Sequence, residues 1–91
     1  MAGFLGGSAF GMAKDIAEGY HHVTERTFKA MSHAELDQIA FELDRCLRDS
    51  RGEQAPLDDL GLIKARNRRI QRLNQALMVL RSYRQNSRRG A

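Results

Sequence analysis

Apolar residues recur every three or four positions along most of this chain, which is the spacing of one face of an α-helix. In residues 33–49, six apolar residues fall within about 120° of arc on a helical projection. Residues 57–83 carry a heptad-like pattern formed by Ile63, Ile70, Leu73, Leu77 and Leu80. A sheet would require alternating β-branched and aromatic residues, and this sequence has no such run. The sequence therefore predicts an all-α fold.

Capping and turn residues indicate where the helices begin and end. Ser32 followed by Glu35 is a capping box, which predicts a helix start. Gly52 and Pro56 lie in a polar stretch that separates two apolar-periodic segments. We predict a single domain over residues 12–83, with helices at about 12–30, 33–49 and 57–83. A Gly-rich apolar segment (1–11) precedes this domain, and a basic flexible tail (84–91) follows it.

The last two predicted helices can pair as an antiparallel hairpin, with the shorter first helix crossing it or exchanging onto a neighbouring chain. A chain of 91 residues buries only about 60–65% of its extended-chain surface. We therefore expect the core to be completed by oligomerisation. The predicted hairpin or oligomer core consists of Leu36, Ile39, Leu43, Leu47, Ile63, Ile70, Leu73, Leu77 and Leu80.

Charge is divided unevenly between the two parts of the chain. Residues 1–59 carry six Lys/Arg and eleven Asp/Glu, a net charge of −5. Residues 60–91 carry nine Lys/Arg and no acid, a net charge of +9. Such asymmetry indicates either a polyanionic partner or an acidic segment that lies against a basic one.

Arginine dominates the basic part of the chain, and guanidinium groups bind phosphate and carboxylate oxygens in a bidentate manner. On a helix Arg68, Arg72 and Arg69 fall within about 100° of arc. We predict contact with nucleic acid or with an acidic partner for Arg68, Arg69, Arg72, Arg84, Arg88 and Arg89. The alternative is that these arginines pair with the acidic residues of the preceding helix, which would set the register of the hairpin.

The N-terminal segment has glycines at every fourth position, at Gly3, Gly7 and Gly11. On a helix this spacing makes one smooth face to which another backbone can come close. Together with Phe4 and Phe10, these glycines form a predicted docking segment. The alternative is a frayed, Gly-rich chain end.

Residues that could carry chemistry are few. Glu18, His21 and Glu25 have spacings that could share a helix face, which makes them weak candidates for a metal site. The alternative is a solvated polar face, and we assign no metal and no cofactor. Cys46 lies on an apolar stripe, where a thiol behaves as a small hydrophobic group. Neither a phosphate-binding loop nor a nucleophile with a positioned base is evident, so we expect a non-enzyme without a small-molecule substrate.

Taken together, these patterns predict a non-catalytic protein–protein interaction or assembly module, such as an adaptor, a chaperone-like protein or a structural subunit. Its expected partners are copies of itself and another protein. The alternative is a nucleic-acid-binding protein that uses the last helix and the tail. The longest uncharged run covers residues 1–13, whereas a bilayer span needs about 20 residues, and the single cysteine fits a reducing compartment. We therefore expect a cytoplasmic protein that does not act at a membrane surface.

Overall fold

A computed structural model describes residue 4 and residues 7–54 and 58–90, and over these residues it is all-helical, without strands. Four helices pack together: α1 (Ala9–Glu18), α2 (Glu25–Lys29), α3 (His33–Gly52) and α4 (Leu60–Gly90). The predicted all-α class is confirmed. With 31 residues, α4 is about 46 Å long, and the other three helices all contact it. Among these helices none is both long and apolar enough to cross a bilayer.

Helices α3 and α4 run in opposite directions. Near the start of α3, Asp37 accepts a hydrogen bond of 2.7 Å from Arg84, which is late in α4. Near the end of α3, the carbonyl of Arg51 accepts one of 2.9 Å from Arg66, which is early in α4. Helix α1 runs parallel to α3, because Ala9 at the start of α1 borders a hollow with Asp37 and Phe41 early in α3, whereas the rest of α1 borders one with Cys46 and Glu53 at the end of α3.

The core lies where one face of each helix meets α4. Its largest fully buried side chains are Met12, Phe28, Ile39, Leu43, Leu73 and Leu80. Most of the predicted core residues are buried, but Ile63 and Ile70 are only half-buried. The reason is the length of α1, whose last turn reaches α4 only at Arg72. Ile63 and Ile70 precede this point on α4, so α1 does not cover them.

The predicted helix at 12–30 is wrong, because the chain forms two helices there. Gly19 has φ +87°, a left-handed conformation that ends α1. Its amide donates to the carbonyl of Ile16, and the amide of Tyr20 donates to the carbonyl of Asp15. These two hydrogen bonds form a Schellman motif, which satisfies carbonyl groups that a helix end leaves without a partner. Gly19 lies within the predicted helix at 12–30, and in the structure it terminates α1.

The predicted division after residue 11 also differs from the structure. The hydroxyl of Ser8 accepts a hydrogen bond of 3.0 Å from the amide of Gly11, which caps the start of α1. Gly11 therefore lies inside α1, while Gly7 lies before it with φ +89°. The two residues do not share a helix face, so the smooth glycine face does not form between them. Gly3 lies outside the described residues.

At the ends of α3 and α4, the structure confirms one prediction and corrects two others. The capping box at Ser32 is confirmed, with hydrogen bonds in both directions to Glu35. Helix α3 continues to Gly52 rather than ending at residue 49. A carboxylate oxygen of Asp59 caps the start of α4 by accepting from the amide of Leu62 at 3.1 Å; the predicted start at residue 57 lies outside the described part. Helix α4 continues to Gly90 rather than ending at residue 83.

We predict that Gly19→Ala lowers the free energy of unfolding by at least about 1 kcal/mol, because an L-residue is strained at positive φ. The new Cβ would also lie 2.9 Å from Cζ of Arg72 and would displace that guanidinium group. The matched control is Gly52→Ala, whose Cβ would meet no atom within 4 Å in the last turn of α3. Its stability should be unchanged or slightly higher, since Ala is the better helix former. Urea unfolding followed by circular dichroism measures both, and equal losses would contradict the role given to Gly19.

Candidate protein-interaction surface

Arg72, predicted as a contact residue for a partner, joins α4 to α1. Its Nη1 donates a hydrogen bond of 3.0 Å to the carbonyl of Ala17 in the last turn of α1. A cation at this end of a helix is favoured by the helix dipole. The guanidinium group fits against Gly19, where a side chain would collide with it. Arg72 therefore contributes to the packing of α1 against α4.

Arg69 and Arg84 join α4 to α3 in a similar way. Arg69 forms an ion pair with Glu53, and Arg84 forms one with Asp37. Arg66 supports the first contact by donating from Nε to the carbonyl of Glu53 at 3.0 Å. Exposed ion pairs of this kind contribute about 0–1 kcal/mol each. Their positions at both ends of α3 nevertheless hold α3 and α4 in a single register.

Arg68 is the one of these predicted contact residues whose described side chain faces solvent without a partner. It is exposed and makes no hydrogen bond or ion pair to any described residue, and the same holds for Lys64 and Arg81. We call the surface of α4 that points away from the core the outer face of α4. It comprises Lys64, Arg68, Gln71, Gln75 and Met78. Arg81 lies away from this face, where it borders a hollow with Asp37 and Arg84. The side chains of Arg88 and Arg89 lie outside the described residues.

The three weak metal candidates do not share a helix face, because α1 ends at Glu18. His21 lies in the following loop, with Nε2 at 3.4 Å from Oδ2 of Asp15. Glu25 starts α2 and accepts a hydrogen bond from Asn86. In the described part of the chain, no three His, Cys, Asp or Glu side chains are placed to hold a metal ion together.

Two phenylalanines lie exposed along the groove between α1 and α3. Phe10 has 45% of its surface exposed and Phe41 has 58%. The ring of Phe10 is 5.2 Å from Nζ of Lys14 and 5.8 Å from Cζ of Arg45. Phe41 is one helical turn before Arg45, so both phenylalanines lie on the same side of the molecule. We call this surface, with Phe10 and Phe41 at its centre, the aromatic face.

The aromatic face is surrounded mainly by carboxylates. Asp37 and Glu42 border the hollow beside Phe41. Glu18, Asp49 and Glu53 border the hollow beside Phe10. Four bases accompany these five acids, which leaves a net charge of −1: Lys14 and Arg45 lie near the Phe10 ring, and Arg84 and Arg69 pair with Asp37 and Glu53. The aromatic face and the outer face of α4 therefore have opposite charge.

Cys46 is half-buried in the groove below Phe10. Burial raises the pKa of its thiol above the usual range, and the carboxylates of Asp49 and Glu42 shift the pKa in the same direction. A raised pKa keeps the group in the unreactive thiol form at neutral pH. This is consistent with the inert small hydrophobic group that the sequence indicated.

The predicted docking segment is divided by the fold. Phe4 is half-buried and packs against the core, whereas Phe10 points outward from α1. Gly7 and Gly11 contribute to the start of α1 rather than to a contact surface. Phe41 was not among the predicted site residues, although its position away from the apolar stripe of α3 is visible in the sequence. An aromatic residue on the polar side of an amphipathic helix is the signal that could have identified it.

No protein-family model, curated protein or solved structure matches this chain. Its function must therefore be inferred from its own surfaces. The described residues offer two: the negatively charged aromatic face and the positively charged outer face of α4.

The different settings of Arg72 and Arg68 lead to a stability prediction. Arg72→Gln should lower the free energy of unfolding by about 1–2 kcal/mol, because a charge-assisted hydrogen bond to α1 is lost. Arg68→Gln should change it by less than about 0.5 kcal/mol, since Arg68 is exposed and has no described partner. Thermal melts followed by circular dichroism give both values. A loss for Arg68→Gln as large as that for Arg72→Gln would contradict this division of the arginines.

The environment of Cys46 leads to a prediction about pH. Its alkylation by iodoacetamide at neutral pH should be slower in the folded protein than in the urea-unfolded chain, because less thiolate is present. The rate should rise with a midpoint above about pH 8.5, the ordinary value for a thiol. Asp49→Asn should lower the pKa and speed the reaction, whereas Asp44→Asn should leave the rate unchanged. A folded-state rate equal to that of the unfolded chain would show that burial does not control this thiol.

Proposed function

We propose that this protein is a non-catalytic protein-interaction and assembly module, and that the aromatic face is its binding surface. The observation that supports this proposal is the pair of exposed phenylalanines on one side of the α1–α3 groove. Burying a phenylalanine side chain fully is worth about 1.5–3 kcal/mol. Aromatic residues are also enriched at the centres of protein interfaces. A partner that covered these two rings would gain this free energy, and we therefore assign a binding function to the aromatic face.

The arrangement around the rings supports a protein partner. Interfaces commonly have an apolar centre and a polar, solvent-accessible rim. Here the two rings are central, and charged side chains surround them. Lys14 and Arg45 lie close to the Phe10 ring, and such cation–π contacts contribute about 0.5–1 kcal/mol at exposed sites. They favour one position of the ring, which reduces the entropy cost of binding.

A second copy of the chain is the partner that we propose first. Further apolar surface is exposed at the start of α4, where Leu60 and Leu62 lie beyond the part that α1 covers. A domain of this size has a small core and gains stability from burying additional apolar surface. Self-association through the aromatic face would provide that burial. It would also explain why a small helical chain leaves two phenylalanines uncovered.

Nucleic-acid binding is the second candidate function. It is favoured by Lys64, Arg68 and Arg81, which are exposed and unpaired among the described residues. Such a surface would bind the phosphate backbone with low sequence preference and strong salt dependence. It is the weaker candidate because Arg69, Arg72 and Arg84 already bind groups of the same chain.

Sedimentation velocity from micromolar to near-millimolar concentration tests the proposed function. Wild-type protein should sediment above the monomer mass, and the double variant Phe10→Ser/Phe41→Ser should sediment as a monomer with unchanged helical content. The control is Tyr20→Ser, since Tyr20 is 76% exposed but lies in the loop after α1. Wild-type protein that is monomeric throughout the series, or a double variant that associates as strongly as wild type, would overturn the proposal.

A separate titration tests the second candidate. Fluorescence anisotropy with labelled single-stranded and double-stranded oligonucleotides measures binding at several salt concentrations. Affinity that falls steeply with salt, and that is lost in Lys64→Gln/Arg68→Gln, would favour nucleic acid over self-assembly. An anisotropy that does not change at low salt would remove this candidate.

A further inference from the structure

We infer that a hollow between the late part of α4 and the first turns of α3 binds the phosphate groups of a phosphorylated ligand. The hollow has a volume of about 540 Å³ and is lined by Asp37, Arg81, Arg84 and Gln85. We call it the arginine hollow. The inference goes beyond the proposed function and does not depend on it, because the ligand is not a protein and the two exposed phenylalanines take no part.

The arginine hollow contains more positive than negative charge. Arg81 and Arg84 are both cationic and Asp37 is the one anion that lines it, which leaves a net charge of +1. Arg84 donates a hydrogen bond of 2.7 Å to Oδ1 of Asp37, so the carboxylate is already engaged. Arg81 is exposed and makes no hydrogen bond or ion pair to any described residue. An anionic group from a ligand would neutralise the remaining charge.

The two arginines also lie close together along α4. They are three residues apart, a spacing that places side chains side by side on a helix and makes like charges unfavourable. Helix α4 contains no acidic residue that would offset this repulsion. An anion bound between the two guanidinium groups would relieve the repulsion. Because it would bind the folded chain only, it would also raise the free energy of unfolding.

Arg84 is held in a defined orientation before any ligand binds. Its side chain is only 30% exposed, and the hydrogen bond to Asp37 engages one edge of the guanidinium group. A guanidinium group has five N–H donors, so several remain available to a ligand. Since little further ordering of this side chain is needed, the entropy cost of binding is reduced.

The donors of the arginine hollow suit phosphate. Guanidinium groups bind phosphate oxygens through two parallel N–H···O hydrogen bonds. A phosphate monoester has three acceptor oxygens and carries about 1.5 to 2 negative charges at neutral pH, so one group can accept from both arginines. The side-chain amide of Gln85 adds two further N–H donors. A carboxylate ligand has only two oxygens and one charge, and is therefore the weaker match.

A titration of the full-length protein with sodium diphosphate, followed by NMR amide chemical shifts, tests the inference. Diphosphate presents two adjacent phosphate groups, and sodium chloride at matched ionic strength controls for general screening. Wild-type protein should show saturable shifts centred on Asp37, Arg81 and Arg84. Arg81→Gln should weaken binding at least about tenfold, because charge-assisted hydrogen bonds are lost. This variant should fold normally, since Arg81 is exposed and has no described partner.

Three further variants define the site. Arg84→Gln should weaken binding as strongly as Arg81→Gln. Asp37→Asn should strengthen it at least about threefold, because the carboxylate that competes for Arg84 is removed. The matched control is Arg68→Gln, which removes the same charge from an exposed position about 20 Å from Arg81 along α4, beyond the Debye length at physiological salt. Its affinity for diphosphate should equal that of wild type.

The outcomes distinguish this inference from the proposed function. Phe10→Ser/Phe41→Ser should bind diphosphate as wild type does, whatever its effect on self-association. If diphosphate causes no shifts beyond those of chloride, the arginine hollow does not bind phosphate and the inference is overturned. If Arg68→Gln weakens binding as much as Arg81→Gln, the anion binds α4 without a defined site, and the inference is again overturned.

Competition identifies the source of the phosphate groups. A labelled oligonucleotide that diphosphate displaces, and that Arg81→Gln no longer binds, would make a nucleic-acid backbone the ligand of the arginine hollow. If the oligonucleotide does not compete while diphosphate still binds through Arg81 and Arg84, the ligand is a small phosphorylated molecule.

Discussion

The contact between Arg72 and the end of α1 is the constraint on which the rest of this structure depends. Gly19 ends α1 in a left-handed conformation, and the absence of a side chain there leaves room for the guanidinium group. The hydrogen bond from Arg72 to Ala17 then fixes where α1 lies on α4. Because α1 ends at this point, the chain turns, and α2 has a different orientation from the one that a continuous helix would give it. In this orientation Phe28 lies in the core, where it is fully buried.

The division of charge along the sequence serves two purposes in the folded chain. Arginines on the inner edges of α4 bind carboxylates and carbonyl groups of α1 and α3, so part of the basic surface is used for internal register. Arginine and lysine on the outer face of α4 remain exposed to solvent. The carboxylates around Phe10 and Phe41 leave the opposite charge on another surface. The result is a small molecule with a negative aromatic face and a positive helical face.

Local signals account for the parts of the fold that sequence reasoning predicted well. The capping box at Ser32 and the apolar stripe of α3 depend on residues three or four positions apart, so they can be read without knowing the fold. The first predicted helix failed for a physical reason. Tyr20 falls inside that predicted helix but is exposed in the structure, because the left-handed residue at Gly19 ends α1 before it.

The sequence by itself determined that the chain is helical, where α3 begins and which leucines of α3 and α4 can face a core, since these follow from helical spacing and local capping. Only the tertiary structure decided which arginines are available to a partner. Arg68 and Arg72 are one helical turn apart and equivalent in the sequence, yet Arg72 meets a carbonyl 55 residues earlier in the chain and Arg68 meets solvent. The same holds for Phe10 and Phe41, because α1 must lie parallel to α3 before their exposed rings share one side of the molecule.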